Sequence, residues 1–130
     1  MKDNKPGPNF NANFISYDIH TYYNQNYEGS RQEAKALYDK LVEDFSDEIA
    51  KGELNVYDLV DEPAGIHPIG MWEIDFKSPE LFSRLVPWYQ WNHGNLSVLV
   101  HPFSSKGARA DHTNHALWIG DRVNLIKDKL

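Results

Sequence analysis

The chain has 130 residues, 41% of them hydrophobic and 13% aromatic, enough apolar material to fill one core and too much for a disordered chain. Nineteen acidic against thirteen basic residues leave a formal charge of −6 with no basic cluster, which disfavours nucleic acid and anionic membranes as partners and favours a small or neutral-to-cationic ligand. There is no cysteine, so disulfides, thiolate nucleophiles and cysteine-ligated metals are excluded, and any metal must be held by His, Asp or Glu.

Residues 1–13, rich in Asn, Pro, Gly and Lys, read as a flexible N-terminal arm, and 14–130 as a single domain. The N-terminus has no apolar h-region and no run approaches eighteen apolar residues, which predicts a soluble, cytoplasmic protein. From Phe14 to Tyr23 the β-branched and aromatic run FISYDIHTYY reads as a strand, with Ile15, Tyr17 and Ile19 on one face and Ser16, Asp18, His20 and Tyr22 on the other. Ser30 with Glu33 has capping-box spacing and predicts a helix to about Phe45, whose Ala34, Leu37, Leu41 and Phe45 form an apolar stripe. Leu54 to Asp61 reads as a second strand, and EPAGIHP then breaks regular structure, with His67 at the break. In the third strand, IGMWEIDF, Trp72, Ile74 and Phe76 oppose Ile69, Met71, Glu73 and Asp75, and His67 joins the latter set. Ser78 caps a second helix with Pro79 at its first position, which runs to about Trp91 and ends at Asn92-His93-Gly94. The fourth strand, Gly94 to Pro102, buries Leu96, Val98 and Val100 on one face and carries Ser97, Leu99 and His101 on the other.

Strand, helix, strand, strand, helix, strand is the order of a split βαβ repeat. It predicts an α+β ferredoxin-like sandwich: a four-stranded antiparallel sheet with both helices on one face and strand one between strands three and four. With the apolar parities under the helices, Asp18, His20, His67, Glu73, Ser97 and His101 share the open face. Strand directions favour His20 near His67, and His101 near Ser16 or Asp18. A sheet face that also carries Ile69, Met71, Leu99 and Tyr22 needs a cover. Either the tail supplies it, with FSSKGARADHTNH as a polar loop and ALWIG as a fifth strand beside the fourth, or a second subunit does.

The segments YDIHTYY, IHPIGMWEIDF, LVPWYQWNHGNLSVLVHP and DHTNHALWIG, at consistent spacing over Phe14 to Gly120, resemble the DOPA 4,5-dioxygenase family. The resemblance implies a small ferredoxin-like homodimer acting as an extradiol dioxygenase on a catechol such as L-DOPA, with dioxygen as co-substrate. It also implies Fe(II), or zinc or another divalent metal in its place, held by histidine and carboxylate with open positions for catecholate and dioxygen. On this basis His20, His67 and His101 are ligand candidates with Glu73 or Asp18 as carboxylate, and His112 is the acid/base or substrate contact. Tyr22, Trp72 and Trp118 could wall the ring, and His115 could contact it. Other members often show His-x-His in the first strand, where this chain has Asp18-Ile19-His20.

Structural readings stand beside these. Glu73 could pair with a lysine or face a dimer interface, His93 suits a helix C-terminus, and DHTNH suits a side-chain-built turn with His115 in solvent. The alternative functions are a non-catalytic protein binding an aromatic ligand or a metal, and a metal-assisted hydrolase or isomerase using the same histidines.

Overall fold

Two-residue alternation in FISYDIHTYY builds the strand on which the sheet is centred, β1 (Phe14–Tyr23). The computed structural model describes Phe10 and residues 13–130. After β1 come α1 (Glu28–Asp44), α2 (Ser46–Ala50), β2 (Leu54–Val56), β3 (Gly70–Phe76), α3 (Pro79–Asn92), β4 (Ser97–Ser104), α4 (Ala108–His112) and β5 (Leu117–Ile119), with a 3₁₀ turn at Lys127–Lys129. The sheet order is β2-β3-β1-β4-β5, every pairing antiparallel. This is the expected ferredoxin-like order with an extra C-terminal strand beside β4.

One face of the sheet carries the larger core. Ile19, Trp72, Ile74, Phe76, Val98 and Val100 pack beneath Ala34, Leu37 and Leu41 of α1 and Leu81, Leu85 and Tyr89 of α3. The opposite face carries a second, smaller apolar cluster. Tyr22, Met71, Leu99 and Leu125 are buried there, with Val60, Ile66, Ile69, Trp118 and Val123 against them. The cover is therefore supplied from within the chain: β5 extends the sheet, the segment after it folds back across the open face, and the Ile126 amide donates to the Ile66 carbonyl at 2.9 Å.

Several boundaries differ from expectation for identifiable reasons. Helix α1 starts at Glu28, behind an Asn24 turn in which the Asn24 side chain accepts from the Asn26 amide. Ser30 and Glu33 thus lie inside the helix and make no capping box: Ser30 Oγ accepts from the Asn24 amide, and Glu33 Oε2 from that of Asn95. Ser78 does cap α3, accepting from the Leu81 amide at 3.3 Å, and the chain leaves that helix through Gly94 at φ +58°. Beyond Val56 the second strand dissolves into loop, still bonded to β3 through the Tyr57 amide on the Glu73 carbonyl and again at the Val60–Met71 bridge. The expected polar loop after β4 contains the short helix α4. Most of the expected N-terminal arm lies outside the described residues. Phe10, within it, packs its ring on Tyr17 and Phe82.

Candidate metal centre

Four histidines meet on the open face, each delivered by a different element. In the ladder, His20 stands opposite Glu73 of β3 and Leu99 of β4, while Asp18 stands opposite His101. Imidazoles reach diagonally across such a ladder. The His20 and His101 rings stack, with centroids 5.1 Å apart and Nε2 atoms 3.1 Å apart. Helix α4 sets the His112 ring 3.9 Å from that of His101, and the loop before β3 sets His67 4.6 Å from His20.

The ligand atoms of His20, His101 and His112 all lie within 4.8 Å of one another, as do those of Asp18, His20 and Glu73. Backbone carbonyls orient two of the imidazoles. His101 Nδ1 donates to the Pro102 carbonyl at 2.9 Å and His112 Nδ1 to the Ala108 carbonyl at 2.7 Å. A carbonyl can only accept, so the neutral rings carry their lone pairs on Nε2, the form that binds a cation. His20 is buried, and its Nδ1 has no hydrogen-bond partner; the nearest carboxylate oxygen, Glu73 Oε1, is 3.9 Å away. A proton on His20 Nε2 would bond to His101 and orphan a buried Nδ1, whereas a proton on Nδ1 would leave two lone pairs facing each other. A cation shared by both Nε2 atoms removes the second conflict. Two nitrogens at about 2.1 Å from one ion stand roughly 3.0–3.4 Å apart at ordinary coordination angles, and the observed 3.1 Å fits.

The electrostatics point the same way. Burial, reinforced by His101, His67 and His112, holds His20 well below the ordinary histidine range. Burial and then His112 lower His101 to about 4, and the same two causes bring His67 to about 4. Asp18, whose Oδ2 is 3.6 Å from His101 Nε2, is raised to about 7 by burial and then by Glu73, Asp75 and Asp111. Glu73 is also raised, by burial and then Asp75. Neutral imidazoles beside carboxylates short of positive charge form a set that a divalent cation would stabilise.

The expected site residues divide. His20, His101, Glu73, Asp18 and Tyr22 converge as the strand parities indicated. His112 stands in the closest histidine trio, while His67, also beside His20, has its Nδ1 2.7 Å from the Tyr22 hydroxyl. Trp118, opposite Leu99 in the ladder, sets its ring 5.8 Å from that of Tyr22. Trp72 does not line the site. Its side chain is fully buried under the helices against Tyr38 and Tyr89, on the other face of the sheet, as its own parity requires. His115 also stands apart, donating through Nδ1 to Asp111 at 2.8 Å and packing on Phe14.

Asp111 is the residue that pattern reading undervalued. Buried to 2% exposure, it accepts from the Ser104 amide and hydroxyl at 2.8 and 2.6 Å as well as from His115. Burial pushes its carboxyl up, but the bonds from Ser104 and His115 outweigh that and leave it below the usual range. It ties the end of β4 to α4 and so fixes where His112 is carried. Its signal in the sequence was the Asp-His-x-x-His spacing, which places Asp111 and His115 one helical turn apart.

Known proteins resemble this chain in sequence and in fold. The profile of the Dopa 4,5-dioxygenase family matches residues 17–129. An uncharacterised 21.2 kDa protein of Botryotinia fuckeliana is 34% identical over 116 residues, covering 85% of this chain and 60% of its own length. A DOPA 4,5-dioxygenase of Amanita muscaria is 33% identical over 109 residues, covering 84% of this chain and 46% of its own. The chain thus spans about half the length of these curated relatives. A crystal structure of a Nostoc punctiforme protein, provisionally named a dioxygenase, superposes with a TM-score of 0.73 at 30% identity, over 88% of this chain and 90% of that one. Sequence profile, relatives and fold agree, and the chain belongs to the Dopa 4,5-dioxygenase family.

Proposed function

We propose that the protein is an extradiol dioxygenase that opens the ring of a catechol such as L-DOPA at the 4,5 bond, incorporating both atoms of dioxygen. The observation that carries this reading is the convergence of His20, His101 and His112 beside a separate histidine, His67, that has its own hydrogen-bonded tyrosine. The trio would hold the metal, ferrous iron in this reading, with Glu73 and Asp18 at its edge. When bound, such an ion supplies the positive charge that favours the catechol anion and brings it together with dioxygen.

The remaining residues do the proton work. His67, lowered to about 4, is neutral near pH 7 and free to accept a proton from a catechol hydroxyl at Nε2 while its Nδ1–H donates to the Tyr22 oxygen. Tyr22 is itself held protonated by burial and then by Glu73, so it orients His67 without competing for the proton. Trp118 and Leu99 keep that side of the ring apolar and exclude water. Asp18, raised to about 7, offers a second proton store on the other side of the cluster.

The test is to load the protein with Fe(II) without oxygen, add L-DOPA, admit air and follow oxygen uptake together with visible absorbance. One dioxygen consumed per catechol, with a yellow product, is the expected result. Stoichiometric metal binding without uptake for any catechol would remove the oxygenase reading and leave a metal-binding protein. The proposal includes a homodimer in the cytoplasm, for which sedimentation equilibrium is the measurement of assembly. No helix among the described residues is long and apolar enough to cross a membrane.

A further inference from the structure

His112 is a wall shared between the histidine cluster and a cavity of about 310 Å³ beneath the C-terminal segment. That volume lies near the lower end of small-molecule pockets, roughly 300–1,000 Å³. Trp118 forms one side, Val123 and Leu125 give apolar area, and Arg122 and Lys127 stand on its lining. No carboxylate lines it, although the chain as a whole carries six more acidic than basic groups. Neither cation is committed to an ion pair among the described residues. The cluster's other flank is the opposite: on the lining of the larger cavity there, Asp18, Glu53 and Asp75 outnumber the single cation, Lys77. Substrate approaching through the His112 side therefore meets an aromatic plate, an apolar wall and then two unneutralised cations.

We infer that Arg122 and Lys127 are specificity-determining residues that recognise a carboxylate on the side chain of the substrate, selecting catechol acids. The inference rests on the catechol reading of the histidine cluster and adds to it. With no acidic group on this lining, a side-chain ammonium gains no partner there. The side-chain acid is required and an α-amino group is dispensable. A guanidinium offers a forked pair of donors that matches a carboxylate, and Lys127 adds a point charge. An amine at the same position meets like charge.

Binding is measured by calorimetry on the Fe(II)-loaded protein without oxygen, so that no turnover occurs. The probes are 3-(3,4-dihydroxyphenyl)propanoate, L-DOPA and dopamine. The two acids are expected to bind within about threefold of each other and dopamine at least tenfold more weakly. Arg122→Gln should weaken both acids about tenfold and bind dopamine no more weakly than the parent does, and Lys127→Gln should do the same to a lesser degree. Dopamine binding as tightly as the acids, equal losses for acid and amine in Arg122→Gln, or no binding of any probe would each overturn the inference. Because binding is read without turnover, selective binding with no oxygen uptake in air would overturn the dioxygenase proposal and leave this assignment standing.

Discussion

His20 and His101 approach through their Nε2 atoms to 3.1 Å from neighbouring strands, and the His101 Nδ1–H already donates to the Pro102 carbonyl. The pair of Nε2 atoms is thus placed where one cation would suit both rings. Replacing either by Ala is expected to lower bound metal at least tenfold, measured by elemental analysis of protein purified in parallel, with the far-ultraviolet circular dichroism unchanged. His112→Ala should behave likewise. His67→Ala should not: metal is retained, and oxygen uptake falls about 10²- to 10⁴-fold, the usual size of a lost acid/base group. If His67→Ala loses the metal and His112→Ala keeps it, the assignment of the trio is wrong.

Tyr22 offers a milder probe of the same division. Tyr22→Phe removes the hydroxyl bonded to His67 and keeps the ring that packs in the open-face cluster. Turnover is expected to drop about tenfold with metal content unaltered and the pH profile on its acidic side displaced. An unaltered profile would separate Tyr22 from the proton step.

The pH dependence of the metal-free protein has two opposing parts. His101 and His67 are lowered to about 4, whereas an unfolded histidine titrates near 6.5. Between those values the unfolded chain binds more protons. Their contribution to stability is full above about pH 6.5 and is lost as pH falls towards 4, by ~3 kcal/mol for the buried His101. Asp18 runs the other way. Raised to about 7 from an unfolded value near 3.9, it is protonated in the folded state across that window, so its contribution declines as pH rises. Asp18→Asn removes only the second part. Urea midpoints of the variant relative to the parent should climb between pH 4 and 7; a flat difference would show that Asp18 titrates normally.

Asp111→Asn tests the tether behind His112. The amide oxygen can still accept from the Ser104 amide, but its NH₂ then faces the Ser104 hydroxyl and His115 Nδ1, which must turn from donors to acceptors, and the loss of the charged acceptor costs about 1–3 kcal/mol. A lower melting temperature is expected, together with metal affinity reduced several-fold. Equal affinity in a destabilised variant would confine Asp111 to a role in stability.

Most of the open face was legible because strand periodicity is rigid: once Ile19, Ile74 and Val98 are assigned to the core, Asp18, His20, Glu73 and His101 have only the other side to occupy. The same rule forbade Trp72 from that side, and expecting its indole at the site set composition against parity. Where no period exists, legibility stopped. His67 lies in a loop and His112 on a five-residue helix, too short for a recognisable stripe, so which of them stands nearer His20 and His101 depends on tertiary placement alone. Ser30 and Glu33 have the spacing of a capping box, yet an asparagine turn upstream starts the helix three residues earlier. The folding of the tail over its own sheet was one of two open covers, and the Ile126–Ile66 bond is the contact by which it is made.

The centre's floor and the wall of its adjoining cavity are held by unequal means. His20 and His101 are registered by the ladder between β1 and β4, where a one-residue slip would turn every side chain over. Arg122, Val123, Leu125 and Lys127 sit beyond the last strand, on backbone that no ladder constrains. Substitutions and small insertions there leave strand register intact. On the proposed reading, the residues that would hold the metal and those that would select the substrate thus lie in separately editable parts of the fold, and segment 122–127 can be rewritten while the strands carrying the histidines keep their register.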